Sequence, residues 1–327
     1  MNTPRFLLPF EQGLLDMPTG DVLIMGASDS LGLDTFPPTL MLEQGFKPLV
    51  AAFETSGYSV TPRATQRFTL TVVNLTRNKI ESLGNIARAA RLTDGPVLVN
   101  GAKTDGIESV LKQVKAKVNI DGVISKSHGK VFWFGAALLP EWEANAQECV
   151  NSAGFFTAPG MFSSAKVDAG SQMLMDNISG LKGRGADLGA GWGAIAKSVL
   201  SQAEITSVDL FEADFHALEA ARKNLDDPRA AFHWADVLTV PKPSDPYDFA
   251  VCNPPFHQSR KADPEIGKGF IKKAAQMLKP AGKFIMVANR QLPYETTLDL
   301  YFKHWVVLAQ NGQFKVIEAS RPKNGVQ

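Results

Sequence analysis

Cysteine is almost absent: Cys149 and Cys252 are the only two in 327 residues, too few for a disulfide framework or a cysteine-built zinc site. A reducing, cytoplasmic setting is the expectation. A surplus of either charge is missing too. The 34 Lys and Arg face 33 Asp and Glu, a formal charge of +1, which excludes a chain that holds nucleic acid by overall charge alone, though not by a local basic patch. Nothing approaches the roughly 18 to 20 uninterrupted apolar residues of a membrane span, and the short apolar run in residues 1 to 10 is broken by Pro9. No export or membrane signal is expected. What is present is a globular mix, 44% hydrophobic and 20% charged, at a length that suits two domains of about 100 to 200 residues better than one core.

The two halves look alike. In the first, the apolar strand Thr69-Leu-Thr-Val-Val-Asn74 ends in Asn and leads through a helical stretch containing Ala89 and Ala90 to Asp94-Gly95 and the strand Val97 to Asn100. In the second, Asp248-Phe-Ala-Val-Cys-Asn253 also ends in Asn and leads through a helical stretch from Phe270 to Leu278 to the turn Ala281-Gly282 and the strand Phe284 to Asn289. Asp21 to Gly26 and Gly185 to Gly189 likewise read as short buried strands running into a glycine turn. The first copy is degenerate: Met25-Gly26-Ala27-Ser28-Asp29 has one glycine where the second half has three, and Asn74-Leu75-Thr76 lacks the prolines that follow Asn253. Turn formers from Asn151 to Gly160 mark the boundary. Strands alternating with helices predict an α/β fold of two open parallel sheets, each flanked by helices.

Chemistry concentrates in the second half. Asp187-Leu188-Gly189-Ala190-Gly191-Trp192-Gly193 lies between a strand and the helical run Ala194 to Leu200. Glycines there let the backbone approach a ligand at the helix N-terminus. An acidic residue two positions before this turn suits a ligand with a cationic amino-acid moiety better than a dinucleotide, and so points to S-adenosylmethionine. The next strand, Ile205 to Glu212, offers Asp209 and Glu212 as acceptors for ribose hydroxyls. Glu212 is preferred for its place at the carboxyl end, with Asp209 read as a solvated strand residue. Asp236, after the strand Phe232 to Trp234, can accept from the adenine amine while Val237 or Trp234 packs on the ring; a turn aspartate is the alternative.

The last motif is Val251-Cys252-Asn253-Pro254-Pro255-Phe256-His257. Two prolines stiffen the backbone, remove two amide donors and leave the carbonyls of Asn253 and Pro254 free. With the Asn side-chain carbonyl, they can accept both hydrogens of a planar amine, and Phe256 offers a face on which a base can stack. His257 is a second-rank candidate for a proton acceptor, Trp192 either covers a ligand or anchors the turn, and Cys252 is a buried strand residue. Arg260, Lys261, Lys268, Lys272 and Lys273, with Lys166 and Arg290, could track a phosphate backbone or form a solvated face.

These residues resemble a known family. Asn-Pro-Pro-Phe after Asp-x-Gly-x-Gly-x-Gly is similar to the class I S-adenosylmethionine-dependent methyltransferases of exocyclic amines, and Asn-Pro-Pro-Phe-His to the ribosomal RNA small-subunit guanine-N2 methyltransferases. Phe162 to Gln172, with Asp168-Ala-Gly-Ser-Gln172, resembles the family's leading catalytic segment; Ala288 to Tyr294 and Gly312 to Val316 resemble its closing strands. Ser163 to Lys166 depart from the family's charged residue and glycine. The resemblance implies two tandem Rossmann-like methyltransferase domains, a degenerate one over 1–157 that binds RNA or gives support and a catalytic one over 158–327. It implies that Asp187, Gly189, Ala190, Gly191 and Gly193 line the methionine end, Glu212 holds the ribose, and Asp236 and Val237 mark the adenine. Asn253, Pro254, Pro255, Phe256 and His257 would face the target base. The expected reaction moves a methyl group from S-adenosylmethionine, leaving S-adenosylhomocysteine, to guanine N2 of ribosomal RNA or a ribosomal subunit, with no metal, no membrane and a monomeric chain. Methylation of adenine or of a protein glutamine amide, or a non-catalytic RNA-binding module, are the alternatives.

Overall fold

Apolar runs too short for helices and flanked by turn formers fold as fully buried strands at the centre of two sheets. The computed structural model describes residues 3–37, 39–255 and 264–323. It divides into one unit of residues 1–148 with 158–160 and a second of 149–157 with 161–327. The first unit contains β1 (Val22–Met25), β2 (Leu40–Glu43), β3 (Ser59–Thr61), β4 (Leu70–Asn74), β5 (Val97–Ala102), β6 (Gly122–Lys126) and β7 (Gly129–Phe134). Their order is β3-β2-β1-β4-β5-β7-β6.

The second unit opens with a two-stranded hairpin, β8 (Cys149–Val150) and β9 (Phe156–Thr157), held to it by Asn224, whose side chain accepts from the Phe156 amide at 2.7 Å and donates to its carbonyl at 3.0 Å. Its sheet comprises β10 (Gly183–Leu188), β11 (Ile205–Glu212), β12 (Ala230–Trp234), β13 (Tyr247–Cys252), β14 (Leu278–Asn289), β15 (Phe302–Gln310) and β16 (Phe314–Pro322). The order β12-β11-β10-β13-β14-β16-β15 repeats that of the first unit strand for strand. Both units are Rossmann-like α/β sheets, and the ligand edge of such a sheet lies at the carboxyl ends of its central strands.

Two details depart from the expected parallel sheets. In each unit five strands are parallel, but the last two run antiparallel to their neighbours. The reason is connection length: β6 and β7 are joined by Ser127 and His128 alone, both at positive φ, and β15 and β16 by three residues. Such hairpins cannot accommodate the crossover that a parallel pair requires. Ala281-Gly282, expected as a turn, instead lies inside β14. Tyr247 pairs with Leu278 and Phe249 with Lys283, so the intervening residues form an irregularity in a continuing strand.

Packing explains local sequence choices. A Cβ on Gly185 in β10 would lie 2.0 Å from the Phe249 ring on β13, so only glycine lets that ring cross the central strand. Asp209, expected to be solvated, is buried: it takes hydrogen bonds from Tyr247 at 2.6 Å and Arg184 at 2.5 Å, with His233 at 3.1 Å. Burial raises its carboxyl, but the cluster of donors from β10, β12 and β13 outweighs it and holds the group low, at about 2.

Candidate active site

The turn after β10 is built by three glycines in the left-handed region, Gly189 at φ 77°, Gly191 at 55° and Gly193 at 89°. Gly193 starts the helix Ala194–Leu200 and packs against Leu225 and Ala221. The amides of Gly189 and Ala190 donate to the Phe211 carbonyl, which fixes the turn to the end of β11. The next amide, Gly191, donates to Glu212 Oε2 at 2.7 Å, while Glu212 Oε1 accepts from the Asp214 amide at 2.8 Å. A Cβ on Gly191 would meet open space. That space is a cavity of about 620 Å³, its open mouth included.

Gly189, Ala190, Gly191 and Trp192 line one side of the cavity, Glu212, Asp214 and Ala217 another, and Asn253 the end of β13. Phe162, Ser163, Val167, Asp168 and Ser171 also line the cavity, Phe162 beside Trp192 and Asp168 and Ser171 beside Asn253. Trp192 lines the cavity and anchors the turn: its indole donates to the Phe162 carbonyl at 2.9 Å, and Phe155 packs on it with ring centroids 4.8 Å apart. Asp168 caps the helix Ala169–Met175, its Oδ2 accepting from the Gly170 and Ser171 amides.

Two residues before the turn, Asp187 is fully buried and its oxygens lack a hydrogen-bond partner among the described residues. Loss of water raises its carboxyl to about 7; the Ala196 amide, which falls short of hydrogen-bond geometry, pulls the other way and the charge of Glu212 adds to the rise. Burial also raises Glu212, the amides it accepts from opposing the shift. Cys252, fully buried at the end of β13, is pushed up by burial and so is held as the thiol.

The structure therefore brings Gly189, Ala190, Gly191, Glu212 and Asn253 to one cavity, with Asp187 at the end of the strand that feeds its glycine turn. It does not bring Asp187, Gly193, Asp236 or Val237 into the lining. Asp236 Oδ1 accepts from the Leu238 amide, as a turn aspartate does, and Val237 is buried in the core. Pro254 is buried and Pro255 exposed; Phe256 and His257, like Arg260 and Lys261, fall outside the described residues. Of the basic residues, Lys268 pairs with Glu265 and Lys273 donates to the Val240 carbonyl, while Lys166 and Arg290 are exposed. Sequence reasoning placed Phe162, Asp168 and Ser171 in a catalytic segment by resemblance alone, without assigning them a role at the cavity, and passed over Asp214. Asp168 and Asp214 each cap a helix, and nothing local in a sequence reveals which cavity a helix start faces.

The first unit shows what loss of such a site looks like. By strand register, Met25 corresponds to Leu188, which places Ile24 where Asp187 stands, Gln44 where Glu212 stands and Asn74 where Asn253 stands. Gln44 makes the same bond to the amide two residues on, but its other end donates to the Ala27 carbonyl. Asn74 is consumed within the unit: it donates to the Met25 carbonyl and accepts from Asn100, which in turn accepts from Arg5.

Residues 152–318 match the model of the methyltransferase small domain. The chain is 32% identical over 238 residues to the ribosomal RNA small subunit methyltransferase C of Hahella chejuensis, covering 68% of each protein. It is 30% identical over 240 residues to that of Idiomarina loihiensis, covering 70% of this chain and 71% of the relative. The T. Thermophilus 16S rRNA N2 G1207 methyltransferase, solved with AdoMet and guanosine, superposes with a TM-score of 0.78 at 23% identity over 94% of this chain and 90% of that one, a likeness of fold. The chain belongs to the small-domain methyltransferase family, alongside the ribosomal RNA small subunit methyltransferases C.

Proposed function

We propose that the second unit transfers a methyl group from S-adenosylmethionine to the exocyclic N2 of a guanine in ribosomal RNA. The observation that carries this reading is the Asn253 side-chain oxygen: buried at the cavity, without a partner among the described residues, and on an amide whose nitrogen is already engaged. A desolvated acceptor of this kind matches an amine that must present its hydrogens to the protein while its nitrogen attacks. The relatives' names, which specify ribosomal RNA and, for the solved structure, guanine N2, supply the substrate class.

The residues suit the cofactor. Open space at Gly191, unpartnered oxygens on Asp187 and the carboxylate of Glu212 offer room, negative charge for a cationic amino-acid end, and acceptors for ribose hydroxyls. Asp236 and Val237 retain the adenine assignment on their place after β12, the strand next to β11. When bound, S-adenosylmethionine supplies an electrophilic methyl on a sulfonium. Asn253 Oδ1 and the Pro254 carbonyl receive the amine hydrogens, and Pro254 and Pro255 contribute no competing amide donor. Phe256 is assigned the stacking face and His257 the protons released after transfer, both from the sequence alone. The first unit, over about residues 1–157, is assigned RNA binding or support, and a monomer in the cytoplasm is the expected form. Among the described residues no helix is long and apolar enough to cross a membrane.

The test is tritium transfer from labelled S-adenosylmethionine to ribosomal RNA of a strain lacking the gene, followed by nucleoside analysis. N2-methylguanosine is expected; label in methyladenine or in protein would overturn the substrate. Asn253→Ala is expected to lower transfer at least a hundredfold with cofactor affinity within about twofold of wild type.

A further inference from the structure

The Asn253 amide is held by residues that precede it by more than eighty positions. Its Nδ2 donates to Ser171 Oγ at 2.8 Å and to Asp168 Oδ2 at 3.2 Å. Asp168 Oδ2 also accepts from the Gly170 and Ser171 amides at 2.9 and 3.1 Å, so the carboxylate is immobilised by the helix it caps. A carboxylate has no hydrogen to give. An Asn253 amide turned by 180° would set oxygen against oxygen, which removes the near-equivalence of the two faces of a carboxamide. Ser171 alone would not decide the matter, because a hydroxyl can donate or accept. In the first unit the nitrogen of the corresponding Asn74 is held by the Met25 carbonyl instead, and its oxygen is not left open but taken up by Asn100.

We infer that Asp168 and Ser171 are positioning residues that lock the Asn253 amide with its nitrogen turned to them and its oxygen left as the open acceptor, so that the site selects an amine over a carbonyl. The inference rests on the proposed methyl transfer to an amine. Asp168 acts through geometry already present before substrate arrives: the acceptor is oriented and desolvated in advance, by one helix cap and one hydroxyl. Asp168 and Ser171 also lie on the cavity wall, so a direct effect on cofactor binding has to be separated from an effect through Asn253.

Asp168→Asn separates them, because Asn caps a helix about as well as Asp but presents a group that can donate or accept. Ser171→Ala leaves the backbone cap in place and removes the hydroxyl; Ser171→Thr restores one. In Asp168→Asn, kcat is expected to fall at least tenfold with S-adenosylmethionine Kd within twofold, and Ser171→Ala is expected to lose less, with recovery in Ser171→Thr. In an Asn253→Ala background neither change should lower the rate further. A second readout needs no turnover: the Asn253 side-chain amide protons, assigned by the signal that Asn253→Ala removes, should be protected from solvent exchange in wild type and lose protection in Asp168→Asn. Unchanged exchange and unchanged kcat in Asp168→Asn overturn the inference. So does an equal loss in the Asn253→Ala background, which would mean that Asp168 acts directly. If wild type places no methyl on an amine, the proposed function fails instead, whereas the exchange measurement still decides whether the amide is locked.

Discussion

Asp187 illustrates how one side chain can oppose the stability of the fold that holds it. Its carboxyl is raised to about 7 from 3.8 by burial, so between those values the folded protein keeps a proton that the unfolded chain has released. Stability therefore falls as pH rises from about 4 to about 7 and levels off above, where both states are ionised. The loss accumulates across that range and is greatest at neutral pH. Asp187→Asn is expected to be closest to wild type in stability near pH 4 and to gain on it progressively up to about pH 7. Urea melts across that range measure the difference; a pH-independent offset would show that the carboxyl is ionised throughout. A buried carboxyl that opposes folding in this way is of use to a ligand rather than to the fold. Its sequence signature was legible because an acid two positions before a glycine turn is a local pattern. The unpartnered state of its oxygens was not, since it depends on what β11, β13 and the Ala194–Leu200 helix place around it.

At the scale of elements, the glycine spacing and one helix start were read directly, whereas the helix expected from Phe270 to Leu278 begins at Pro264 and leaves Leu278 to β14. The helix Ala194–Leu200 begins and ends where the sequence predicts, because the glycine turn and the alanine-rich run are both local signals. The helix Phe215–Asn224 is capped by Asp214, whose Oδ1 accepts from the His216 and Ala217 amides. Removing the cap in Asp214→Ala should cost about 1 kcal/mol, read as a lower thermal midpoint, and should also loosen the Glu212 end of the cavity, read as weaker S-adenosylmethionine binding by calorimetry. Gly185→Ala tests the packing of β10 against β13: with the Phe249 ring in the way, a loss of about 1 to 3 kcal/mol is expected in a chemical melt. A neutral result would mean that the ring yields without cost. The antiparallel edge strands and the irregularity in β14 escaped the sequence reading for one reason. Period-two patterning marks a strand but says nothing about which neighbour it joins or in which direction.

Across the whole molecule, each unit has its own sheet and its own buried cores, and they use their polar residues differently. In the first unit Glu43, the last residue of β2, forms a buried ion pair with Arg88 and accepts from the Ala64 amide. Glu43→Ala would strand the guanidinium, and a loss of about 3 to 5 kcal/mol is expected in the unfolding of the first unit. Calorimetry checks this, with S-adenosylmethionine binding to the second unit unchanged if the cofactor site is self-contained. By itself the sequence determined that there are two α/β copies, that the first has lost its glycines and prolines, and that a glycine turn, Glu212 and Asn253 belong together; these follow from local composition and from the rule that ligands gather at the carboxyl ends of central strands. Only the tertiary structure decided that Asp209 is a buried structural acid and that Asp168 and Ser171 hold the Asn253 amide. Those outcomes depend on contacts between residues 24 to 85 positions apart or on which side chains face the cavity, and the energy of such contacts is written in no short stretch of the chain.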